Sequence, residues 1–366
     1  MYVKHNFFWG KELSKTMKAA VKTARGDFEI KDVPIPEIKQ PDYVLVKVRG
    51  AGVCGSDLHF WKVPRPEAVG RITGHELAGD VVAIGKNVEN LKTGDRVGVE
   101  SIVSCGKCYW CRVGQYHLCP QMFDIRGKTF SQAFSEYVVG PSEKLYPIPD
   151  HVGYGEAAIM DVYGTSVHAI SRTNTHMNQI VVIIGAGTIG LSLLDLVNVA
   201  GAKGIITDIL DFPLEFAEKT IGAYETINTT KVDPVKRVME LTNGQGADIV
   251  YECVGGRAAS ILLPQAVSMV RRKGQIALVG ALRPDMSLTL NWPKLHWGEI
   301  DVVPVSGFYH WDNDAEFQIV TDLLIQGKLH ATEMITHRFP LEKINEAFET
   351  AVNKKKTKSI KVVLDL

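Results

Sequence analysis

Two rhythms of hydrophobic and polar positions divide the chain. Up to about residue 150, short β-branched runs alternate with turn residues. Residues 43–48 read as a strand, 76–88 as strand, turn and strand, and Thr93-Gly94-Asp95 as a turn into another strand at Arg96 and Val97. Pro34, Pro36, Pro41, Pro64 and Pro66 discourage long helices there. The pattern predicts a barrel-like β domain. From about residue 180 the rhythm changes. Ile180–Ile184 is wholly apolar, as expected of a strand covered on both faces. A glycine turn and a helix-length segment, 191–200, follow, and Gly201-Ala202-Lys203-Gly204 ends that helix. Apolar runs at 205–208, 247–252 and 275–280 then alternate with helical patterns, which predicts a doubly wound parallel sheet with right-handed crossovers. The tail predicts helices around 315–326 and 341–352 and a last strand at 360–364, and Lys354-Lys355-Lys356 reads as a solvated turn.

Composition narrows the class. A chain of 366 residues has room for two domains, and 45% hydrophobic with 22% charged residues is ordinary for a globular protein. Lys plus Arg equals Asp plus Glu at 41 each, and this zero balance argues against a nucleic-acid partner. The longest apolar stretch, 180–194, falls short of the roughly 20 residues a membrane span needs. Residues 1–16 have too brief an apolar core for a secretory signal and stand before Met17, where a clean strand pattern opens, either as an extension or as an artefact of start assignment. The expected compartment is the cytoplasm.

Three constellations carry chemistry. Cys105, Cys108, Cys111 and Cys119 lie within 15 residues, and two-residue gaps let thiolates converge on one ion. Four sulfurs with no open position define a structural zinc site; an iron–sulfur cluster is the rival, although no second cysteine cluster accompanies this one. Gly185-x-Gly187-x-x-Gly190 follows the apolar strand and opens the helix, and Asp208 ends the next strand. This is a dinucleotide turn, with a helix N-terminus for the pyrophosphate and an acid for the adenosine ribose. Asp208 would repel a 2′-phosphate, and neither Ile209 nor Leu210 supplies a cation, so NAD is expected over NADP. Third, Cys54-Gly55-Ser56-Asp57-Leu58-His59 stands with Gly74-His75-Glu76. A cysteine, a histidine and a carboxylate can hold zinc with one position open, and beside a dinucleotide fold such a zinc would polarise an alcohol. The sixth cysteine, Cys253, is expected to be buried and inert.

Over residues 17–366 the sequence resembles the zinc-dependent medium-chain dehydrogenases. The motifs are Gly74-His75-Glu76-x-x-Gly79 continuing to Gly85, the four-cysteine lobe and the glycine turn. The Cys-Gly-Ser-Asp-x-His run is similar to polyol (sorbitol-type) dehydrogenases, and Met160-Asp161-Val162-Tyr163-Gly164 to L-threonine 3-dehydrogenases. The resemblance implies a GroES-like β-barrel catalytic domain at 17–165 and 298–366, interrupted by a Rossmann NAD-binding domain at 166–297, with the active site in the cleft. It implies catalytic zinc at Cys54, His75 and Glu76 with Asp161 approaching it, and a proton relay through Ser56 and His59. Cofactor contacts carry over to Ile189, Asp208, Val279, Gly280, Ala281, Phe308 and Tyr309. It also implies a homo-oligomer, a dimer or tetramer, built by extending the nucleotide-domain sheets. The expected activity is oxidation of a secondary alcohol in a polyol, sugar or cyclitol with NAD. L-threonine 3-dehydrogenase is the alternative, and a catalytically silent NAD-binding scaffold is the alternative of another class. The sequence departs from the family at 130–137, at the short segment 60–71, and at Pro213, where threonine dehydrogenases carry an arginine.

Overall fold

A computed structural model describes residues 7–8, 11–12, 15–281, 287–311 and 314–366. Contacts divide the chain into two units. One comprises Met1–Asp161, Phe317–Gln326 and Ile335–Leu366, the other Val162–Glu316 and Gly327–Met334.

The first unit is built on a seven-stranded sheet. Its path runs Ile335–Pro340, Lys361–Asp365, Tyr43–Gly52, Glu76–Ile84, Arg96–Val99 and Leu145–Pro147, with Tyr137–Pro141 also pairing to Tyr43–Gly52. Alternation along these strands turns Val44, Val46, Val48, Leu77, Val81, Val97 and Val99 into one core. The rings of Phe28, Phe134 and Phe348 meet in that core at centroid distances of 4.9 to 5.8 Å. Burying each such ring contributes about 1.5–3 kcal/mol. Thr16–Lys22 and Phe28–Pro34 form a separate hairpin. Of the expected extension, Phe7–Phe8 pairs antiparallel with Lys11–Glu12, while residues 1–6, 9–10 and 13–14 lie outside the described residues.

The second strand expected within 76–88 does not form. The chain leaves the sheet at Ile84 because the Gly85 and Asn87 N–H groups donate to the carbonyls of Tyr43 and Pro41, at 2.8 Å each. Lys354–Thr357 is one turn of helix rather than a plain turn, closed by Lys358 in the left-handed conformation at φ 55°. The tail helix begins at Ile344, after a 3₁₀ turn over Leu341–Lys343.

The second unit carries six parallel strands in the order Glu225–Asn228, Lys203–Asp208, Ile180–Ile184, Ala247–Glu252, Val270–Leu278, Asp301–Pro304. This is the doubly wound sheet the alternating pattern predicts. Its order reverses between Ile180–Ile184 and Ala247–Glu252, the switch point where such sheets take their ligands. Val182, Ile184, Ile205, Val250 and Ile276 are buried at its centre.

The expected boundaries need correction. Asp301–Pro304 pairs with Val270–Leu278 as the sixth strand, so the sheet does not end at 297. The first unit resumes at Phe317, whose ring packs 4.8 Å from that of Tyr146. Gly327–Met334 returns to the second unit because buried Asp195 accepts from the His330 backbone N–H at 2.7 Å and pairs with its ring at 2.8 Å.

Candidate metal and cofactor sites

The antiparallel register brings three donors to one end of a strand pair. Glu76 opens its strand directly opposite Gly52. His75 precedes Glu76, and Cys54 lies two residues beyond Gly52. A Cβ at position 52 would stand 1.9 Å from a Glu76 carboxylate oxygen, so a larger residue there would displace that carboxylate. One donor atom from each of Cys54, His75 and Glu76 lies within 4.8 Å of the other two. Glu76 is fully buried, and its Oε1 has no hydrogen-bond partner among the described residues. A buried carboxylate oxygen without a donor is costly, so this set fits a cation. Thiolate, imidazole and carboxylate are zinc donors, and three of them leave a fourth position open.

Two residues behind this set were not singled out in the sequence. Asp57 caps the short helix Gly55–Leu58 by accepting from the Cys54 N–H at 3.1 Å, and its other oxygen stands 3.8 Å from His75 Nδ1. It thereby caps the candidate ligand loop and sets a carboxylate charge beside the His75 ring. Burial pushes the Asp57 carboxyl up. Burial opposes a proton on His75, but the Cys54 thiolate and the Asp57 carboxylate outweigh it and raise the ring to about 10. Lys361 is the second such residue. It is 2% exposed, pairs with Glu76 and donates to the Val53 carbonyl at 3.0 Å.

Asp161 joins this neighbourhood. It is buried, accepts from Ser101 Oγ at 2.9 Å, and adds its charge to those raising His75. Ser56 lies half-buried in the helix after Cys54, and His59 is exposed at the C-terminal cap of that helix.

The cysteine lobe gathers Cys105, Cys108, Cys111 and Cys119, again within 4.8 Å. Cys111 Sγ stands 3.9 Å from that of Cys105 and 3.5 Å from that of Cys108. Tetrahedral Zn–S bonds of about 2.3 Å place sulfurs about 3.8 Å apart, so the lobe has the dimensions of a closed four-sulfur site. N–H groups of Lys107 and Cys108 lower Cys105 to about 6, whereas burial raises Cys119 to about 11. Cys253 is only partly buried as a residue, but enclosure of its thiol pushes it well above the usual range.

In the second unit the glycine turn opens the helix Thr188–Val199. Its cap residue, Gly187, provides no side-chain cap, and a Cβ there would meet nothing within 4 Å. The helix N-terminus therefore faces open space, as a pyrophosphate requires. Gly185 turns with φ 99°, and Gly190 packs so closely that a Cβ would lie 1.8 Å from the Gly185 carbonyl. Ile189 is half-buried on the first turn of the helix. Asp208 ends its strand and accepts from the Ala186 N–H at 2.8 Å, tying the acid to the turn.

Val279, Gly280 and Ala281 follow Val270–Leu278. The N–H groups of Val279 and Gly280 donate to the Glu252 carbonyl, and the Ala281 carbonyl accepts from Gly256. Phe308 is buried against Gly164. The Tyr309 N–H donates to Glu316 at 2.7 Å, while the His168 ring, itself 3.0 Å from Glu316, stands edge-on to the Tyr309 ring. The residues expected to contact the cofactor lie at the glycine turn and the first turn of its helix, at carboxyl ends of the strands, or in the segment between Pro304 and His310.

A metal set one ligand short of four, in a chain that also folds a doubly wound sheet, defines a metal-dependent oxidoreductase. The chain belongs to the zinc-dependent alcohol dehydrogenase family, in its polyol and threonine dehydrogenase branch. Residues 40–150 match the alcohol dehydrogenase GroES-like domain and residues 188–326 the zinc-binding dehydrogenase domain. It is 34% identical to sorbitol dehydrogenase of Bacillus subtilis (strain 168), over 92% of this chain and 94% of that protein. It is also 34% identical to L-threonine 3-dehydrogenase of Pyrococcus horikoshii, over 92% and 96%. A crystal structure of an Escherichia coli oxidoreductase of unknown specificity superposes with a TM-score of 0.86 at 29% identity, over 96% of this chain and 99% of that one. No helix among the described residues is long and apolar enough to cross a membrane.

Proposed function

We propose that the protein is an NAD-dependent dehydrogenase of secondary alcohols in the polyol, sugar or cyclitol class. The observation that carries this reading is the three-donor set of Cys54, His75 and Glu76 with the unpartnered Oε1 of Glu76. Zinc held there would act as a Lewis acid on the alcohol, with the nicotinamide as hydride acceptor. The chain's own residues do the rest. Asp57 places its charge beside the ring of His75, and Ser101 holds Asp161 by a hydrogen bond. Ser56, beside Cys54, accepts the alcohol proton as it gives up its own toward the nicotinamide ribose hydroxyl, and exposed His59 releases one to water, a step suited to an imidazole. Gly185, Gly187 and Gly190 give the pyrophosphate its approach, Ile189 lines that approach, and Asp208 takes the adenosine ribose hydroxyls. Val279 to Ala281, Phe308 and Tyr309 hold the nicotinamide half. The lobe of Cys105, Cys108, Cys111 and Cys119 holds a second, structural zinc, for which a reducing cytoplasm suits six free cysteines.

Asp161 favours L-threonine as the second reading, since a buried carboxylate beside the site can meet a substrate ammonium. The chain pairs with a second copy through Asp301–Pro304, one of the two outer strands of the six. Beside that edge runs a groove of about 380 Å³ lined by Trp292, Leu295, His296 and Val302, with Trp292 69% and Trp297 76% exposed.

NAD reduction by purified protein over polyols, inositols, aldoses and threonine, with metal counted per chain, tests the reading. Turnover on a polyol or cyclitol with two zincs supports it. Turnover on threonine alone selects the second reading. One zinc and no turnover on any substrate would leave a silent scaffold.

A further inference from the structure

Glu100 is fully buried and belongs to neither cluster of metal donors. It follows the strand Arg96–Val99, and its own N–H donates to the Lys144 carbonyl at 2.9 Å. Its carboxylate takes three donors. Tyr116 Oη and Lys144 Nζ both lie 2.8 Å from Oε1, and Tyr146 Oη lies 3.0 Å from Oε2. A carboxylate at this depth is expensive unless its donors stay in place, so these four side chains hold one arrangement. Core packing does not call for it, since an apolar side chain would fill the position at less cost.

What the arrangement joins is informative. Tyr116 belongs to the cysteine lobe, between Cys111 and Cys119, and its carbonyl accepts from the Cys119 N–H at 3.0 Å. The Lys144 ammonium also sits 3.6 Å from the centre of the Tyr116 ring. On the other side the next residue, Ser101, is 1% exposed and donates to Asp161. Consecutive residues of one extended segment therefore grip the lobe and the aspartate beside His75. A shift of the lobe must drag Glu100 or strand part of its charge, and Ser101 is one peptide unit away.

We propose that Glu100 is a positioning residue through which the cysteine lobe sets the placement of Asp161 at the Cys54–His75–Glu76 site. The inference rests on the reading of that site as catalytic. Its chemistry is positional, so it acts on the alcohol side of the reaction and leaves the dinucleotide turn untouched.

Two mild variants break the chain at its ends. Tyr116→Phe removes only the hydroxyl on the lobe side, and Ser101→Ala only the hydroxyl on the Asp161 side. Holoenzyme is prepared with cobalt(II) at the Cys54 site and zinc in the lobe. The cobalt ligand-field spectrum, the KM for alcohol, kcat and the NADH dissociation constant are read for each variant and for the double variant. We expect each single variant to shift the cobalt bands and raise the alcohol KM about three- to tenfold, with NADH binding unchanged. Links in series lose their effect once, so the double variant should match the larger single effect rather than the product. Multiplicative effects, or a cobalt spectrum unmoved by Tyr116→Phe, would overturn the proposal. If the wild-type cobalt spectrum shows no thiolate charge-transfer band that Cys54→Ser removes, the catalytic reading of the site fails instead.

Discussion

Replacing Lys361 with methionine tests whether the Cys54–His75–Glu76 set is built for a cation. Lys361 and Glu76 have side chains 2% and 0% exposed, so their pairing is a matter of the interior and not of the surface. Methionine conserves the volume and the flexible stem, which confines the change to the charge and to the bond with the Val53 carbonyl. Removing one member of a buried ion pair costs about 3–5 kcal/mol, because the other charge remains and is no longer compensated. At about 2–4 °C per kcal/mol for a domain of this size, melting of the first unit in metal-free protein should fall by roughly 6–20 °C. Zinc places a divalent charge beside the same carboxylate, so the deficit should shrink on loading. Calorimetry of wild type and Lys361→Met, each stripped and zinc-loaded, gives the four numbers needed. A metal-free variant as stable as metal-free wild type would refute the reasoning, as would a deficit that zinc leaves unchanged.

Three further predictions follow from local geometry. In metal-stripped protein, Cys105 should be the first cysteine alkylated. Its pKa is depressed to about 6, so the reactive thiolate is present above that pH and lost as pH falls through it, whereas Cys119, raised to about 11, should stay inert at neutral pH. Peptide mapping after iodoacetamide labelling from pH 5 to 9 checks the order, and a Cys105 midpoint above about 8 would contradict it. Gly190→Ala should abolish nucleotide binding, since its methyl would collide with the Gly185 carbonyl backbone; undiminished NADH fluorescence enhancement would show that the turn is not the dinucleotide site. His59→Gln should slow turnover mainly at low pH, where proton release is hardest, and an unchanged pH–rate profile would remove His59 from the proton path.

The parts of the molecule that could be read from sequence share a physical property: they are set by near neighbours in the chain. The apolar run Ile180–Ile184 followed by a glycine turn is local, and so is the candidate ligand pair His75-Glu76 at the mouth of a strand. The Cys105–Cys119 lobe closes on itself within 15 residues. Elements fixed by partners far along the chain were harder to see. Lys361 in Lys361–Asp365 looks like a strand lysine facing water, and only its register next to Tyr43–Gly52 carries it to Glu76. Glu100 has no motif at all, because its three donors come from residues 116, 144 and 146. The 76–88 segment misled for the same reason. Its turn residues suit a hairpin, but Gly85 and Asn87 find acceptors at Tyr43 and Pro41, and a second strand has no partner left to form against. The sixth parallel strand is not legible in the sequence because the short run Asp301-Val302-Val303-Pro304 gains its identity from pairing with Val270–Leu278 rather than from its own pattern. In each case a local preference is overridden by a partner that the fold supplies. The charged groups placed in this way, Lys361 and Glu100, are also the ones whose removal should disturb the metal site without touching an expected ligand.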